Sequence, residues 1–180
     1  MADEPAVHAE VDPEDVGAGA DELERCYRLA MARLPGGVAV VAGTSGARDV
    51  VAVVTSLVSL SLEPPTVLVA VHEASRLAET LEVGRRWAAT VMGAGSAPLV
   101  TWLAEPGRPD LGQLQGVPHH RGEVSGAAVL EAGAAWVECV TTRVLEAGDH
   151  AVVLGRVERA GVGAADGALV HRLGRVRDLL

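Results

Sequence analysis

Residues 50–71 read VVAVVTSLVSLSLEPPTVLVAV, an apolar stretch that passes through a threonine- and serine-rich segment and a double proline into a second apolar stretch. The hydroxyl groups belong to Thr55, Ser56, Ser59 and Ser61. A buried hydroxyl without a partner costs about 1–3 kcal/mol. The pattern therefore predicts two strands and, between them, a segment that holds something polar. A second interpretation stays open, because threonine and serine also occupy the solvent-facing side of antiparallel strands.

Apolar periodicity and turn residues predict the other elements. Strands are expected at 38–42, from Val50 onward, and at 66–71, 87–92, 124–130, 135–145, 151–159 and 168–172. Helices are expected at 23–34, 75–83 and 96–104, and a loop at 105–122. Strands and helices do not alternate as in a doubly wound sheet. The prediction is a mostly β fold with peripheral helices, built as an antiparallel barrel.

Composition describes a single domain with an acidic leader. Of the 180 residues, 49% are hydrophobic, which suffices for a core without disulfides. Residues 1–24 hold nine of the 24 acids and none of the 15 arginines, so this segment accounts for the formal charge of −9. A segment this acidic and poor in large apolar side chains is expected to be disordered. The expected organisation is a leader over 1–20 and a domain over 21–180.

Several function classes lose support at this stage. The absence of lysine excludes a Schiff-base lysine and a P-loop lysine. No basic stripe suits nucleic acid, and no apolar run reaches the roughly 20 residues of a membrane span. Cys26 and Cys139 lie far apart without a Cys/His cluster, which predicts a reduced, cytoplasmic protein without structural metal. His119 and His120 fit either a solvated loop or a metal or substrate contact.

Five segments follow one another in a set order: Pro35–Val41, Thr55–Pro65, Ser75-Arg76, Ala135–Cys139 and Glu146–His150. They read PGGVAVV, TSLVSLSLEPP, SR, AWVEC and EAGDH. As an ordered set they resemble the flavin reductase family of FMN-binding split barrels. The resemblance covers about residues 23–178 and implies an antiparallel split β-barrel.

The resemblance also implies an activity and partners. Members of this family oxidise NADH or NADPH and reduce FMN, FAD or riboflavin. They hand the reduced flavin to a flavin-dependent monooxygenase as the small component of a two-component system. This chain is accordingly expected to be a homodimeric NAD(P)H:flavin oxidoreductase with a monooxygenase partner, serving secondary metabolism.

By the same resemblance, eight residues are expected to form the site. Those that would contact the flavin are Val53, Val54, Thr55, Ser56, Ser59, Ser75 and Arg76. Ser75 and Arg76 open a predicted helix, where backbone amides and a guanidinium suit a phosphate. His150 is expected at the nicotinamide as the catalytic residue.

Three positions depart from the family pattern. Val53 stands where the family has threonine, and Leu57 and Val176 stand where it has aromatic side chains. Two alternative functions follow from these departures. One is a barrel of the same descent that has lost flavin turnover and binds or transforms an apolar secondary metabolite without a redox cofactor. The other is a flavin-binding module without reductase activity.

Overall fold

The structure, a computed structural model, describes residues 20–105, 107 and 112–179. All but the last residue of the expected leader over 1–20 lie outside the described residues. The first helix, α1 (Ala20–Met31), belongs to a unit that ends at Leu34. An ion pair between Arg28 and Glu24 at 2.6 Å, one helical turn apart, supports it. No helix in the described ranges combines the length and apolar character needed to cross a bilayer.

The second unit begins at Pro35, and its described residues form two helices and twelve strands. The helices are α2 (Arg76–Thr80) and α3 (Ala97–Leu103). The strands are β1 (Gly36–Gly37), β2 (Ala39–Ser45), β3 (Arg48–Val54), β4 (Val58–Leu62), β5 (Pro65–His72), β6 (Arg86–Met92), β7 (His119–Arg121), β8 (Ala128–Leu130), β9 (Gly133–Ala147), β10 (His150–Val162), β11 (Ala168–Arg172) and β12 (Arg175–Leu179).

Seven strands form the main sheet, in the order β3-β2-β6-β9-β10-β5-β4 with antiparallel neighbours. Its two edge strands, β3 and β4, are joined by residues 55–57 alone. A connection this short reaches no more than roughly 15 Å, so the sheet must curl until its edges face each other. No ladder joins those edges among the described residues. This split antiparallel architecture confirms the predicted fold class.

The core lies on both sides of β2, whose residues 39–43 are all buried. Val40 packs with α3 residues such as Leu103, while Val41 packs with Leu77 and Leu81 of α2 and its C-terminal turn. Alternate side chains of a strand point to opposite faces, so a fully apolar strand can supply two core clusters. The two helices thereby cover opposite faces of the curled sheet.

Four expectations about elements need correction. The 105–122 interval is not entirely loop, because it contains β7, while its positions 106 and 108–111 lie outside the described residues. The strand expected at 124–130 is reduced to β8, and the helix expected at 75–83 to the five residues of α2. Strands β4 and β12 were not predicted, since most of their side chains are exposed and carry no buried alternation.

Candidate active site

The 55–57 connection lies at the seam where the two sheet edges meet, and a cavity of about 400 Å³ opens beside it. Six of the eight predicted site residues line this cavity, which we call the seam cavity: Val53, Val54, Thr55, Ser56, Ser75 and His150. They come from the end of β3, the connection, the start of α2 and the start of β10. The curl of the sheet therefore brings together residues that are almost 100 positions apart.

Ser56 fixes the connection to the neighbouring strand. Its hydroxyl donates to the carbonyl oxygen of Ala70 at 2.8 Å and accepts from the Ala70 amide at 3.1 Å. The side chain thus takes the place of a ladder partner on β5, just beyond the end of β4. Since residues 55–57 lie outside every strand, their own amides are not part of a ladder. A polar ligand in the seam cavity could use those amides.

His150 is oriented by its sequence neighbour. Its Nδ1 lies 2.6 Å from Oδ1 of Asp149. The hydrogen bond to His150 lowers the pKa of Asp149, followed by charge interaction with the same imidazole. An ionised carboxylate can only accept, so the hydrogen lies on Nδ1 of His150. Its Nε2 is left for another partner, and the side chain is 44% exposed at the cavity.

The seam cavity is also lined by a second histidine, His72, which the sequence analysis did not single out. His72 ends β5 and pairs in register with His150, with ring centroids 5.4 Å apart in an edge-on arrangement. The amide of Ala74 donates to Nδ1 of His72 at 3.1 Å. In the neutral ring this places the hydrogen on Nε2. In their neutral forms the two imidazoles therefore present Nε2 in opposite roles, with that of His150 accepting and that of His72 donating.

Ser75 and Arg76 both lie at the start of α2, as expected. The Ser75 hydroxyl caps the helix by accepting from the Ala78 amide at 3.3 Å. Arg76 lines an adjoining cavity of about 220 Å³ together with Arg48 of β3. Because α2 has only five residues, its dipole contributes little, and the guanidinium groups are the main source of positive charge there.

Ser59, the remaining predicted residue, lies on the exposed strand β4 and does not line the seam cavity. This placement matches the solvent-facing interpretation of the hydroxyl-rich segment at that position. Of the three departures from the family pattern, Val53 lines the cavity. Leu57 packs against the core cluster around Trp87.

A larger cavity of about 720 Å³ lies on the other side of Val53 and Thr55, which line both spaces. Val176 lines it, together with Trp102 and His171, which the sequence did not mark. The adjacent position of this space makes it available to a second planar ligand or to the remainder of the first.

Cys139 is buried within β9. Burial raises the pKa of its thiol to about 12, with the nearby Glu158 carboxylate adding to the effect. The thiol is therefore neutral at physiological pH and is not a nucleophile. Among the described residues no group of three or more His, Cys, Asp or Glu side chains could hold a metal ion.

Comparison with known proteins adds sequence and structural relatives. The family model described as "Flavin reductase like domain" matches residues 31–180. The NADH-dependent FMN reductase AsuE2 of Streptomyces nodosus subsp. asukaensis is 35% identical over 152 residues, 82% of this chain and 80% of the relative. The reductase component of 4-hydroxyphenylacetate 3-monooxygenase of Thermus thermophilus is 30% identical over 149 residues, 83% of this chain and 92% of the relative.

A solved structure extends the similarity to the fold. The NADH:FAD oxidoreductase SgcE6 of Streptomyces globisporus C-1027, in complex with NAD and FAD fragments, superposes with a TM-score of 0.77 at 29% identity. The alignment covers 96% of this chain and 98% of that one. The expected family resemblance is thus confirmed over nearly the whole chain.

Proposed function

This chain belongs to the flavin reductase family, and on that premise we propose that it is an NADH-dependent flavin reductase whose site is the seam cavity. The observation that carries the proposal is the convergence of Val53–Ser56, Ser75 and His150 on that one cavity. Its named relatives reduce FMN or FAD with NADH. The substrates are accordingly NADH and an oxidised flavin.

The residues present fit a flavin. Val53, Val54 and Leu77 offer apolar surface for a ring system, and the amides of residues 55–57 offer donors for its polar edge. Arg76 and Arg48 offer cations for a phosphate in the adjoining cavity. When bound, the flavin supplies the chemistry of accepting a hydride from a reduced nicotinamide.

The protein itself orients the reactants and handles protons. Ser56 holds the 55–57 connection against β5, and the amides of this connection would bind the polar edge of a flavin ring. Asp149 holds His150 so that Nε2 can accept from a carboxamide or another donor at the nicotinamide side. His72 presents a donor at the same wall. Positioning of this kind accelerates a transfer in which NADH supplies the hydride and the oxidised flavin accepts it.

Partners follow from the same proposal. The Thermus relative is named as the reductase component of a monooxygenase, and we assign this chain a flavin-dependent monooxygenase partner, in secondary metabolism. The two cysteines, Cys26 and Cys139, are unpaired, which supports a reducing, cytoplasmic setting.

A homodimer is the proposed assembly. The edge strand β4 exposes Val58, Leu60 and Leu62, the last of them 86% exposed. An exposed apolar edge strand is an aggregation hazard unless something covers it. A second copy of the chain is the proposed cover, and light scattering should give about twice 18.5 kDa. A stable monomer at micromolar concentration would argue against it.

The direct test of the activity is steady-state NADH oxidation with and without added flavin. Oxidation should depend on flavin, and His150→Ala should lower kcat/KM by roughly tenfold to a hundredfold, which does not exceed the lower end of the roughly 10²–10⁴ that a general acid or base contributes. A folded protein that oxidises neither NADH nor NADPH in the presence of flavin would refute the reductase proposal. An unchanged rate in His150→Ala would remove that residue from the mechanism.

One observation favours a second ligand class. The 720 Å³ cavity has valine at positions 53 and 176, where the family pattern has threonine and an aromatic side chain. These substitutions suit an apolar metabolite. Titration with flavin decides between the two functions, because an apolar-ligand protein that has lost flavin would leave flavin fluorescence unquenched at every concentration.

A further inference from the structure

The cavities beside β3 form a row that continues past the seam cavity. Ala52 and Val54 line the seam cavity, and Arg48 and Val50 line the 220 Å³ cavity. Even-numbered residues of this strand share one face, so both spaces lie along the same side of β3. Strand residues rise about 3.3 Å each, which makes the row from Val54 to Arg48 roughly 20 Å long.

The second cavity in the row is cationic. Arg48 comes from the start of β3, and Arg76 from the first turn of α2. Glu79 also lines the space, so the two guanidinium groups leave a single net positive charge. Arginine is suited to phosphate because its planar donors can bind two oxygens at once. A phosphate or pyrophosphate is therefore the ligand chemistry that this space favours.

A third cavity, of about 380 Å³, adjoins the second one, since Arg48 and Gln113 line both. Its other walls include Leu114, Gln115 and His119. The loop of residues 112–117, which forms part of these walls, is anchored to the sheet because Oε1 of Gln113 accepts a hydrogen bond from the amide of Val51 at 3.0 Å. We call this third space the loop cavity.

The loop cavity has the donors and acceptors that a purine needs. Nδ1 of His119 lies 2.7 Å from the carbonyl oxygen of Val117, so it carries the hydrogen and leaves Nε2 as an acceptor in the neutral ring. An acceptor of this kind suits the exocyclic amine of adenine. Gln115 adds an amide, and Leu114 adds apolar surface for a ring face.

The acidic residue in the loop cavity is already neutralised. Asp49 binds Arg121 through two hydrogen bonds, one of them 2.9 Å between Nη2 and Oδ2. The hydrogen bond to Asp49 raises the pKa of Arg121, although burial works against it. The pair contributes little net charge, so an adenosine group would meet a polar but nearly neutral space beside Arg48.

Resting on the proposed function, we propose that the row is an adenosine-diphosphate subsite, with the pyrophosphate between Arg76 and Arg48 and the adenosine in the loop cavity. Two substrates carry this group, FAD and NADH. We assign the subsite to FAD, because one FAD molecule could place its flavin ring in the seam cavity and its adenosine diphosphate along the rest of the row. The subsite would then make FAD a better ligand than FMN.

The test compares three flavins and ADP itself on the full chain, by fluorescence quenching and by calorimetry. FAD should bind about tenfold more tightly than FMN, the ratio of one charged hydrogen bond. His119→Ala and Gln115→Ala should each remove the tighter binding of FAD while leaving the affinities for FMN and riboflavin unchanged. Arg48→Gln should lower the affinity for the phosphate-bearing ligands FAD, FMN and ADP by about tenfold and leave that for riboflavin unchanged.

Two exposed residues outside the row provide matched controls. His120→Ala changes the neighbouring imidazole, which contacts Trp136 instead, and Arg143→Gln removes an arginine from the exposed part of β9. Neither substitution should change the affinity of the protein for any of the three flavins. Melting curves of each variant establish that it folds, and Gln115→Ala provides a second probe of the loop cavity if His119→Ala is unstable.

These measurements distinguish failure of the proposed subsite from failure of the proposed function. A higher KM for NADH in His119→Ala, measured with riboflavin as acceptor and with FAD binding unchanged, would assign the subsite to the reductant. ADP binding that depends on Arg48 and His119 in a protein that reduces no flavin would keep the subsite and refute the proposed function. Equal affinity for FAD and FMN, together with no binding of ADP, would overturn the subsite.

Discussion

Removing the Ser56 hydroxyl should weaken both the fold and the proposed flavin site. The change Ser56→Ala deletes the donor to the Ala70 carbonyl and the acceptor for the Ala70 amide, at 2.8 and 3.1 Å. Each such bond contributes about 0.5–1.5 kcal/mol net, so the free energy of unfolding should fall by about 2 kcal/mol. For a domain of this size that corresponds to a Tm lower by about 4–8 °C.

The same change should also weaken flavin binding, because Ser56 holds the connection whose residues Thr55 and Ser56 line the seam cavity. If ordering the freed connection costs about 1.4 kcal/mol, the Kd for flavin rises roughly tenfold. Urea denaturation measures the first effect and fluorescence quenching the second. Ser56→Thr keeps the hydroxyl and should retain most of both.

Ser59→Ala is the matched control within the same segment. Ser59 lies on the exposed strand β4, and its replacement should change the unfolding free energy by less than about 0.5 kcal/mol. If Ser56→Ala and Ser59→Ala behave alike, the bonds to Ala70 do not hold the seam. A loss of stability in Ser56→Ala with unchanged flavin affinity would instead remove the connection from the binding site.

Three further predictions concern the core. Gly155→Ala should cost about 1–3 kcal/mol, because an added Cβ would lie 2.4 Å from the ring of Trp87; thermal melting measures it. In native protein a thiol reagent should modify the exposed Cys26 but not Cys139, whose pKa is raised to about 12 by burial, and both should react in denaturant. Glu138→Leu should cost about 3 kcal/mol, since this 1%-exposed carboxylate accepts three hydrogen bonds from one turn.

Each of the three predictions on Gly155, Cys139 and Glu138 has a control or an outcome that would contradict it. Gly37→Ala should be far milder than the Gly155 variant, because no atom lies within 4 Å of its added Cβ. Reaction of both thiols in folded protein would show that the strand around Cys139 opens readily. Glu131→Gln, at an exposed position, should be neutral, and equal stability of the two glutamate variants would contradict the role of the buried carboxylate.

The Glu138 contribution also has a defined pH dependence. Burial by itself raises the pKa of Glu138, but hydrogen bonds from the Ser125 amide and hydroxyl and the Val124 amide, with the charge of Arg159, lower it overall. A carboxyl whose pKa is lowered on folding contributes stability above its unfolded pKa and loses it as pH falls through the folded value. The wild type should therefore lose stability in acid more than Glu138→Leu does.

The sequence predicted those parts of the site that are local in the chain. The motif from Thr55 to Pro65 and the Gly148-Asp149-His150 turn pointed to Thr55, Ser56 and His150, three of the residues that line the seam cavity. Register was not predictable, and His72 was missed because its position opposite His150 depends on how β5 pairs with β10. A histidine at the end of an apolar strand, three residues before Ser75-Arg76, was the available signal.

The exposed side chains of β4 and the polar side chains of β7 explain why the sequence did not predict these two strands. Strand β4 is held by its ladder to β5, and most of its side chains face solvent, so burial leaves no alternating signal in the sequence. His119 was placed in a loop because its strand consists of three polar residues, HHR, and pairs with the three-residue strand β8. Its approach to Arg48 depends on the fold of residues 112–117 against β3, a long-range contact that periodicity does not encode.

The most direct test of the central claim is anaerobic single-turnover reduction of flavin by NADH, followed by the loss of the flavin's visible absorbance. With the wild-type chain, FAD should bleach on mixing with NADH, and His150→Ala should bleach it at least about tenfold more slowly. Flavin that stays oxidised in the presence of NADH, NADPH and folded protein would contradict the account.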